Sequence, residues 1–178
     1  MKTLILVSGP PGVGKSTLAR RLAKRLSCVL LDKDLIDEAF SPGDRGDHYT
    51  KEIEPRVLKA MLNLAKENLL LGQSVIMDVP WTHILIQSPH WKKDIEDLTK
   101  STETELKVIE LYLQPEILKE RIRERGLDRD QVKLSDEGWQ AFMERDKVTA
   151  RIDIKHHAID AAIGVAEVEK SALEYLGL

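Results

Sequence analysis

Apolar and polar residues follow two different periods along this chain. Short runs of β-branched and aliphatic residues, which are typical of buried strands, alternate with stretches in which apolar residues recur every third or fourth position, as on one face of a helix. This alternation continues from end to end, and it predicts a parallel sheet covered by helices. The five predicted strands are residues 3–7, 28–31, 74–78, 106–113 and 154–161.

The stretches between the apolar runs predict the helices. A long helix is expected to begin near Pro55, a residue tolerated in a first turn, and to stop at Gly72. Residues 81–83 are predicted to begin a connection, and the polar residues 41–50 a loop that covers the substrate. Three further helices are predicted over residues 35–40, 91–98 and 165–176. Another starts at Pro115. The remaining two are marked by their apolar residues, one by Leu18, Leu22 and Leu26 and the other by Trp139, Phe142 and Met143.

Length and charge narrow the class of protein. A chain of 178 residues predicts one domain over residues 1–178. A net charge of −3 argues against binding along an extended nucleic-acid surface, and a single cysteine, Cys28, excludes a disulfide framework. The N-terminal apolar run is too short for a signal sequence or a membrane span, so we expect no membrane association and a cytoplasmic location. The oligomeric state is left open.

The segment between the first predicted strand and the first predicted helix matches the phosphate-binding pattern G-x-x-x-x-G-K-[ST]. Its glycines let the backbone fold around an anion with N–H groups pointing inward, and the helix adds the positive end of its dipole. Lys15 can reach the β- and γ-phosphates of a nucleotide, and the Ser16 hydroxyl can bind Mg²⁺. The sequence therefore predicts nucleotide binding by Gly9, Pro10, Pro11, Gly12, Val13, Gly14, Lys15, Ser16 and Thr17.

Three acidic residues stand at or just beyond predicted strand ends. Asp32 and Asp34 follow the second strand, and Asp78 ends the third. The carboxyl ends of parallel strands converge on the ligand site of an open α/β sheet. We expect Asp78 to hold Mg²⁺ through water, with Asp32 as a second candidate for the metal, and Asp34 or Asp32 to act as the base. The alternative is that each acid caps a helix or forms a turn.

Two arginines share one face of the charged helix that begins at Pro115. Arg121 and Arg125 lie three residues beyond Leu118 and Ile122, so they border the apolar stripe of the helix. We predict that both contact phosphate. The alternative is a solvated helix whose charges form pairs three and four residues apart.

Further basic residues lie outside that shared face. Arg123 points elsewhere on the helix, and we expect it to be solvated. Arg129 and Lys133 follow Gly126 in a polar stretch with no clear period. A lid over residues 126–135 would carry them above the triphosphate, so Arg129 is a third predicted phosphate contact.

Together these motifs resemble the small P-loop kinases with an AAA-type ATP-binding domain, in particular the group that contains polynucleotide kinase, chloramphenicol phosphotransferase, zeta-toxin-like kinases and gluconate kinase. The resemblance implies a three-layer α/β P-loop fold, with a five-stranded parallel sheet, helices on both faces and a small lid. It also implies ATP as donor, a hydroxyl as acceptor, Asp34 as base, and phosphate binding by lid arginines. The matching motifs are residues 9–17, 31–34, 72–78, 118–126 and 129–130.

The predicted function is ATP-dependent phosphoryl transfer to a hydroxyl group of a small molecule, or of a nucleoside or polynucleotide end. Residues 41–51 and 80–91 match no acceptor signature, so the acceptor is left open. The alternative is a nucleotide-binding switch or an ATPase without an organic acceptor. A GTPase is disfavoured because the sequence lacks the guanine-reading N-K-x-D pattern, and a transporter ATPase because it lacks an L-S-G-G-Q-like signature.

Overall fold

The computed structural model describes residues 2–40, 46 and 48–178, apart from the side chain of Arg129. Its centre is a sheet in which every paired strand is parallel to its neighbour, in the order β2-β3-β1-β4-β5. This sheet confirms the predicted α/β fold class. The strands are β1 (Thr3–Ser8), β2 (Val29–Asp32), β3 (Val75–Asp78), β4 (Glu105–Tyr112) and β5 (His157–Asp160).

Eight α-helices surround the sheet in the described part of the chain. They are α1 (Lys15–Leu26), α2 (Lys33–Phe40), α3 (Glu54–Leu70), α4 (Trp81–Gln87), α5 (His90–Ser101), α6 (Pro115–Arg125), α7 (Asp136–Arg145) and α8 (Val165–Leu176). Shorter turns are a π-helical Tyr49–Ile53 and the 3₁₀ segments Asp128–Leu134 and Ala161–Ile163. None of these described helices combines the length and the apolar character needed to cross a bilayer.

Each face of the sheet buries its own apolar core, because successive side chains of a strand point to opposite faces. Leu4 and Leu6 of β1 pack with residues of α3, α4 and α5. Ile5 and Val7 pack on the other face with residues of α1, α6, α7 and α8. The two cores make the three-layer arrangement that the resemblance implies.

One predicted connection is wrong: residues 81–83 open the helix α4. Tryptophan, threonine and isoleucine are weak helix formers, which is why the segment gave no helical signal. Trp81, Ile84 and Leu85 are spaced as neighbours on one helix face, and all three are buried in the core that also contains Leu4 and Leu6. Tertiary packing therefore stabilises this helix. The predicted loop 41–50 lies largely outside the described residues.

Candidate active site

The phosphate loop joins the buried end of β1 to the first turn of α1. Gly9, Gly12 and Gly14 all have positive φ angles, at 136°, 91° and 109°. A Cβ atom on Gly9 would overlap the backbone carbonyl oxygen of Leu111, and one on Gly12 would lie 2.8 Å from Ile122 Cγ1. The backbone conformation and the close packing both require glycine here. The loop thus has the shape of an anion cradle at a helix N-terminus.

Lys15 is the first residue of α1, and its ammonium group turns back over the loop. Its Nζ donates a hydrogen bond to the carbonyl oxygen of Pro10 at 3.1 Å. Burial lowers the pKa of Lys15, and the negative charges of Asp78, Asp34 and Asp146 oppose this shift. These charged residues come from α1, α2, β3 and the end of α7, and they interact electrostatically beside the phosphate loop.

Asp78 ends β3 and lies beside the hydroxyl of Ser16. Burial raises the pKa of Asp78; the charge of Lys15 and a hydrogen bond from Ser16 oppose the rise, whereas Asp32 and Asp34 add to it. A buried carboxylate and a hydroxyl are hard oxygen ligands of the kind that Mg²⁺ prefers. A bound cation would also offset the cost of keeping this carboxylate ionised, so the pair fits the metal role predicted for it.

Asp32 has a capping role in the structure. Its buried carboxylate accepts the backbone N–H groups of Asp34 at 3.0 Å and Leu35 at 3.4 Å, and it forms an ion pair with Arg20 at 2.8 Å. This is the helix-cap alternative raised by the sequence. A metal or base role for Asp32 stays a prediction, and its oxygens are already engaged by α2 and α1.

Asp34 lies in the first turn of α2, at an exposed position. Its negative charge acts on both Lys15 and Asp78. The structure therefore brings Asp34 to the edge of the sheet where the phosphate loop and Asp78 lie. Its role as a base stays a prediction.

Arg121 lies on the outer side of the phosphate loop. Its guanidinium donates hydrogen bonds to the carbonyl oxygens of Ala161 at 2.8 Å and Val13 at 3.4 Å. It also lines a largely apolar cavity against the end of the loop, together with Val13, Gly14, Thr17, Leu18, Leu111, Ala161, Val165 and Val168. Arg121 therefore connects the phosphate loop to the 3₁₀ segment Ala161–Ile163, and its predicted phosphate contact stays a prediction.

The positive charge of Arg125 lowers the pKa of Lys15 further, and the phosphate contact predicted for Arg125 stays a prediction. Its Nε donates to Oδ2 of Asp130 at 2.7 Å, and Lys133 Nζ donates to Oδ1 of the same buried carboxylate at 2.6 Å. Arg123 is exposed and pairs with Glu120, as the sequence predicts for a solvated side chain. The side chain of Arg129 lies outside the described residues, so its phosphate contact stays a prediction.

Two further residues that the sequence did not single out lie at this site. Asp146 follows α7, and its charge acts on Lys15. Glu110 lies in β4 and is 2% exposed. Its position inside an apolar run is the sequence signal that could have identified it as a buried functional residue. Both line a second cavity against the start of the phosphate loop, with Gly9, Pro10, Pro80, Thr82, His83, Leu111, Lys147, Val148, Ala150 and Arg151.

This sheet order, glycine cradle and buried lysine define a P-loop nucleotide-binding domain. The AAA domain family model matches residues 4–148, and the chain belongs to this family. The predicted resemblance to small P-loop kinases is confirmed at the level of family and fold.

Similar proteins carry kinase names. A Pyrococcus furiosus protein named "Putative adenylate kinase" is 31% identical over 129 residues, which is 72% of this chain and 59% of that protein. A shikimate kinase from Rhodococcus erythropolis is 32% identical over 76 residues, 43% of this chain and 45% of that enzyme. The chain thus spans less than two thirds of these relatives. The solved structure of a sugar kinase from Janibacter sp. has a TM-score of 0.71 at 17% identity, covering 99% of this chain and 95% of that one.

Proposed function

We propose that the protein transfers the γ-phosphoryl group of ATP to a hydroxyl group of a small molecule. The observation that carries this proposal is a set of charged residues beside the phosphate loop. Asp34, Asp78 and Arg125 each act electrostatically on Lys15, and Asp34 also acts on Asp78. Phosphoryl transfer needs a phosphate cradle, a metal ligand, cations and a carboxylate near the acceptor. These residues supply each of those groups.

Each residue has a distinct task in this proposal. The loop N–H groups and Lys15 bind the β- and γ-phosphates, and Ser16 and Asp78 hold Mg²⁺. An ion held there would supply positive charge that offsets the negative charge of the phosphates. Arg125 stabilises the charge of the transferred group, and Asp34 accepts the proton of the attacking hydroxyl.

The two cavities support one orientation of the nucleotide. The apolar cavity meets the end of the phosphate loop at Val13 and Gly14, and Arg121 lines it. A purine base fits apolar walls, and a guanidinium stacks well on an aromatic ring. The second, smaller cavity meets the start of the loop at Pro10. We therefore propose that the base lies near Arg121 and the acceptor on the opposite side.

The charges of α2 favour a hydroxyl acceptor over a phosphate acceptor such as AMP. An acceptor phosphate needs cations, but the single basic residue of α2, an element described in full, is Lys33. Its buried Nζ is held by Asp37 at 2.7 Å and by Glu54 at 2.9 Å. Asp34 and Glu38 are exposed acids on the same helix. A hydroxyl group needs no such cation. Among the similar proteins, the names shikimate kinase and sugar kinase carry small-molecule acceptors, whereas the name adenylate kinase carries a nucleotide, so the names alone do not decide between the two.

The proposal is tested with γ-labelled ATP and a panel of sugars, sugar acids, nucleosides, amino alcohols and AMP. A labelled organic product with an acceptor other than AMP would support it. With the active acceptor, Asp34→Asn should lower kcat by about 10²-fold or more while ATP affinity changes little, because only the base is removed. Glu38→Gln is the matched control, since it removes a carboxylate one turn further along α2. Full turnover by Asp34→Asn would disprove the assignment of the base.

The alternative is a nucleotide-dependent switch or an ATPase. The same panel separates the two, because such a protein would release labelled phosphate with every acceptor and no labelled organic product. A labelled ADP product with AMP alone would instead identify a nucleotide kinase.

A further inference from the structure

Glu110 is a buried carboxylate at the carboxyl end of β4, paired in register with Ser8, the last residue before the phosphate loop. Its Oε1 accepts a hydrogen bond from the Thr82 hydroxyl at 2.7 Å and another from the backbone N–H of Ile152 at 2.9 Å. Its Oε2 lies 3.3 Å from His156 Nε2 and 3.9 Å from Arg151 Nε. One side chain of β4 thus joins two other parts of the chain at the start of the phosphate loop.

The first of these parts is the start of α4. The backbone N–H of Thr82 donates to Ser8 Oγ at 3.0 Å, and the two hydroxyls lie 3.0 Å apart. The next residue, His83, bonds through Nδ1 to the carbonyl oxygen of Arg145, the last residue of α7, at 2.7 Å. Glu110 therefore reaches the end of α7 through the first turn of α4.

The second part is the segment 146–152, where the chain returns from α7 to the sheet. One end of this segment is fixed by the bond of His83 to Arg145, and the other by the bond of Ile152 to Glu110. Asp146, whose charge acts on Lys15, lies between these two anchors. The backbone N–H of Asp146 also donates to Phe142 O at 3.0 Å as the cap of α7, so the two anchors hold the end of α7 and the returning segment together.

We infer that Glu110 is a positioning residue for phosphoryl transfer. It holds the first turn of α4 and the segment 146–152 against the phosphate loop, and so fixes the wall of the second cavity, which Thr82, His83 and Asp146 line. This inference rests on the proposed function for its kinetic consequence. Its structural content, the coupling of these two segments through Glu110, is independent of the reaction. Misplacing groups around a reacting centre by about 1 Å costs turnover more than binding.

The test compares Glu110→Ala, which removes both acceptor bonds, with Glu110→Gln, whose amide oxygen can still accept them. Thr102→Val is the matched control. Thr102 is also 2% exposed, its hydroxyl bonds Leu98 O at 2.8 Å, and it precedes the opposite end of β4. The measurements are turnover of γ-labelled ATP with the active acceptor, affinity for a fluorescent ATP analogue, thermal stability, and hydrogen exchange of residues 81–84 and 146–152.

We expect Glu110→Ala to lower kcat by about 10-fold or more and to speed exchange in both segments, with ATP-analogue affinity within about 2-fold of wild type. Glu110→Gln should restore slow exchange and most of the turnover. Thr102→Val should lose stability without losing turnover. Unchanged exchange in Glu110→Ala, or an equal loss of turnover in Thr102→Val, would overturn the inference. If the wild-type protein phosphorylates no acceptor, the proposed function fails, and the exchange data alone still decide the coupling.

Discussion

Glycine is required in the phosphate loop for two reasons, a positive φ angle and close packing, and a comparison of Gly9 with Gly14 distinguishes them. Both have a strongly positive φ angle, so alanine would strain the backbone at either position by about 1–3 kcal/mol. A Cβ atom on Gly14 meets no atom within 4 Å, whereas one on Gly9 overlaps the carbonyl oxygen of Leu111. We therefore expect Gly9→Ala to lower the free energy of unfolding more than Gly14→Ala does, as measured by urea denaturation. Equal losses would mean that strain alone decides.

Arg121 and Arg125 should affect different kinetic constants, although they share one helix face. Arg121→Ala should weaken ATP binding several-fold because Arg121 lines the apolar cavity, and kcat should change less. Arg125→Ala should lower kcat by about 10²-fold, because its charge lies near Lys15. Arg123→Ala is the control, since Arg123 is exposed and pairs with Glu120. Equilibrium binding and single-turnover kinetics would distinguish the three, and a loss of kcat alone in Arg121→Ala would contradict this division.

The residues that the sequence predicted lie in contiguous motifs or at strand ends. The loop and Asp78 could be predicted because a strand, a glycine turn and a helix have a known relation to phosphate. Asp146 could not be, because it reaches Lys15 from a segment more than 130 positions away, and only the return path of the chain places it there. The capping role of Asp32 was one of two open alternatives, and hydrogen-bond partners were needed to distinguish them.

Asp130 connects α6 to the 3₁₀ segment Asp128–Leu134, the middle of the predicted lid. Burial alone would raise the pKa of Asp130, but hydrogen bonds and charges from Lys133 and Arg125 lower it below its ordinary value. We expect Asp130→Asn to cost about 1.5–3 kcal/mol at neutral pH, because one of the two charge-assisted hydrogen bonds is lost and the other becomes a bond to a neutral amide oxygen. Asp136→Asn is the control, since its pair with Lys119 is exposed and such pairs contribute little.

The same ion pair predicts the pH dependence of that loss. A carboxylate whose pKa is lower in the folded protein stabilises it above the ordinary value of 3.8, and this stabilisation is lost as the pH falls through the lowered pKa. The difference in unfolding free energy between wild type and Asp130→Asn should therefore shrink in acid. Denaturation at several pH values measures it. A difference that grows towards low pH would contradict the role of Asp130.

Helices with a regular apolar stripe were predictable, and those formed by packing were not. α3 shows a stripe of apolar residues at helical spacing, and it was predicted close to its observed bounds. α4 has poor helix formers in its first turn, and its helical state depends on burial of Trp81 against the core. Its start is also where Thr82 meets Glu110, so the element that the sequence missed is the one that contacts the proposed acceptor side.

Each of the two cavities beside the phosphate loop is bordered by helices that pack on one face of the sheet. The cavity beside Arg121 lies with α6 and α8, which pack on one sheet face, and the second cavity borders α4, which packs on the other. Periodicity predicted the layers because it depends only on neighbouring residues. It could not predict the cavities, since each is formed by segments that are distant in sequence.

Nucleotide binding should stabilise the whole domain, because the loop connects both layers through β1 and α1. A ligand at 100 times its Kd adds about 2.7 kcal/mol to the free energy of unfolding, and a domain of this size gains about 2–4 °C per kcal/mol. Saturating ATP with Mg²⁺ should therefore raise Tm by about 5–10 °C in a thermal melt. Lys15→Met should abolish the rise, since the cation that binds the β- and γ-phosphates is lost. An equal rise in Lys15→Met would mean that the nucleotide binds elsewhere, and the proposed site would then be rejected together with the roles of Asp34 and Arg125.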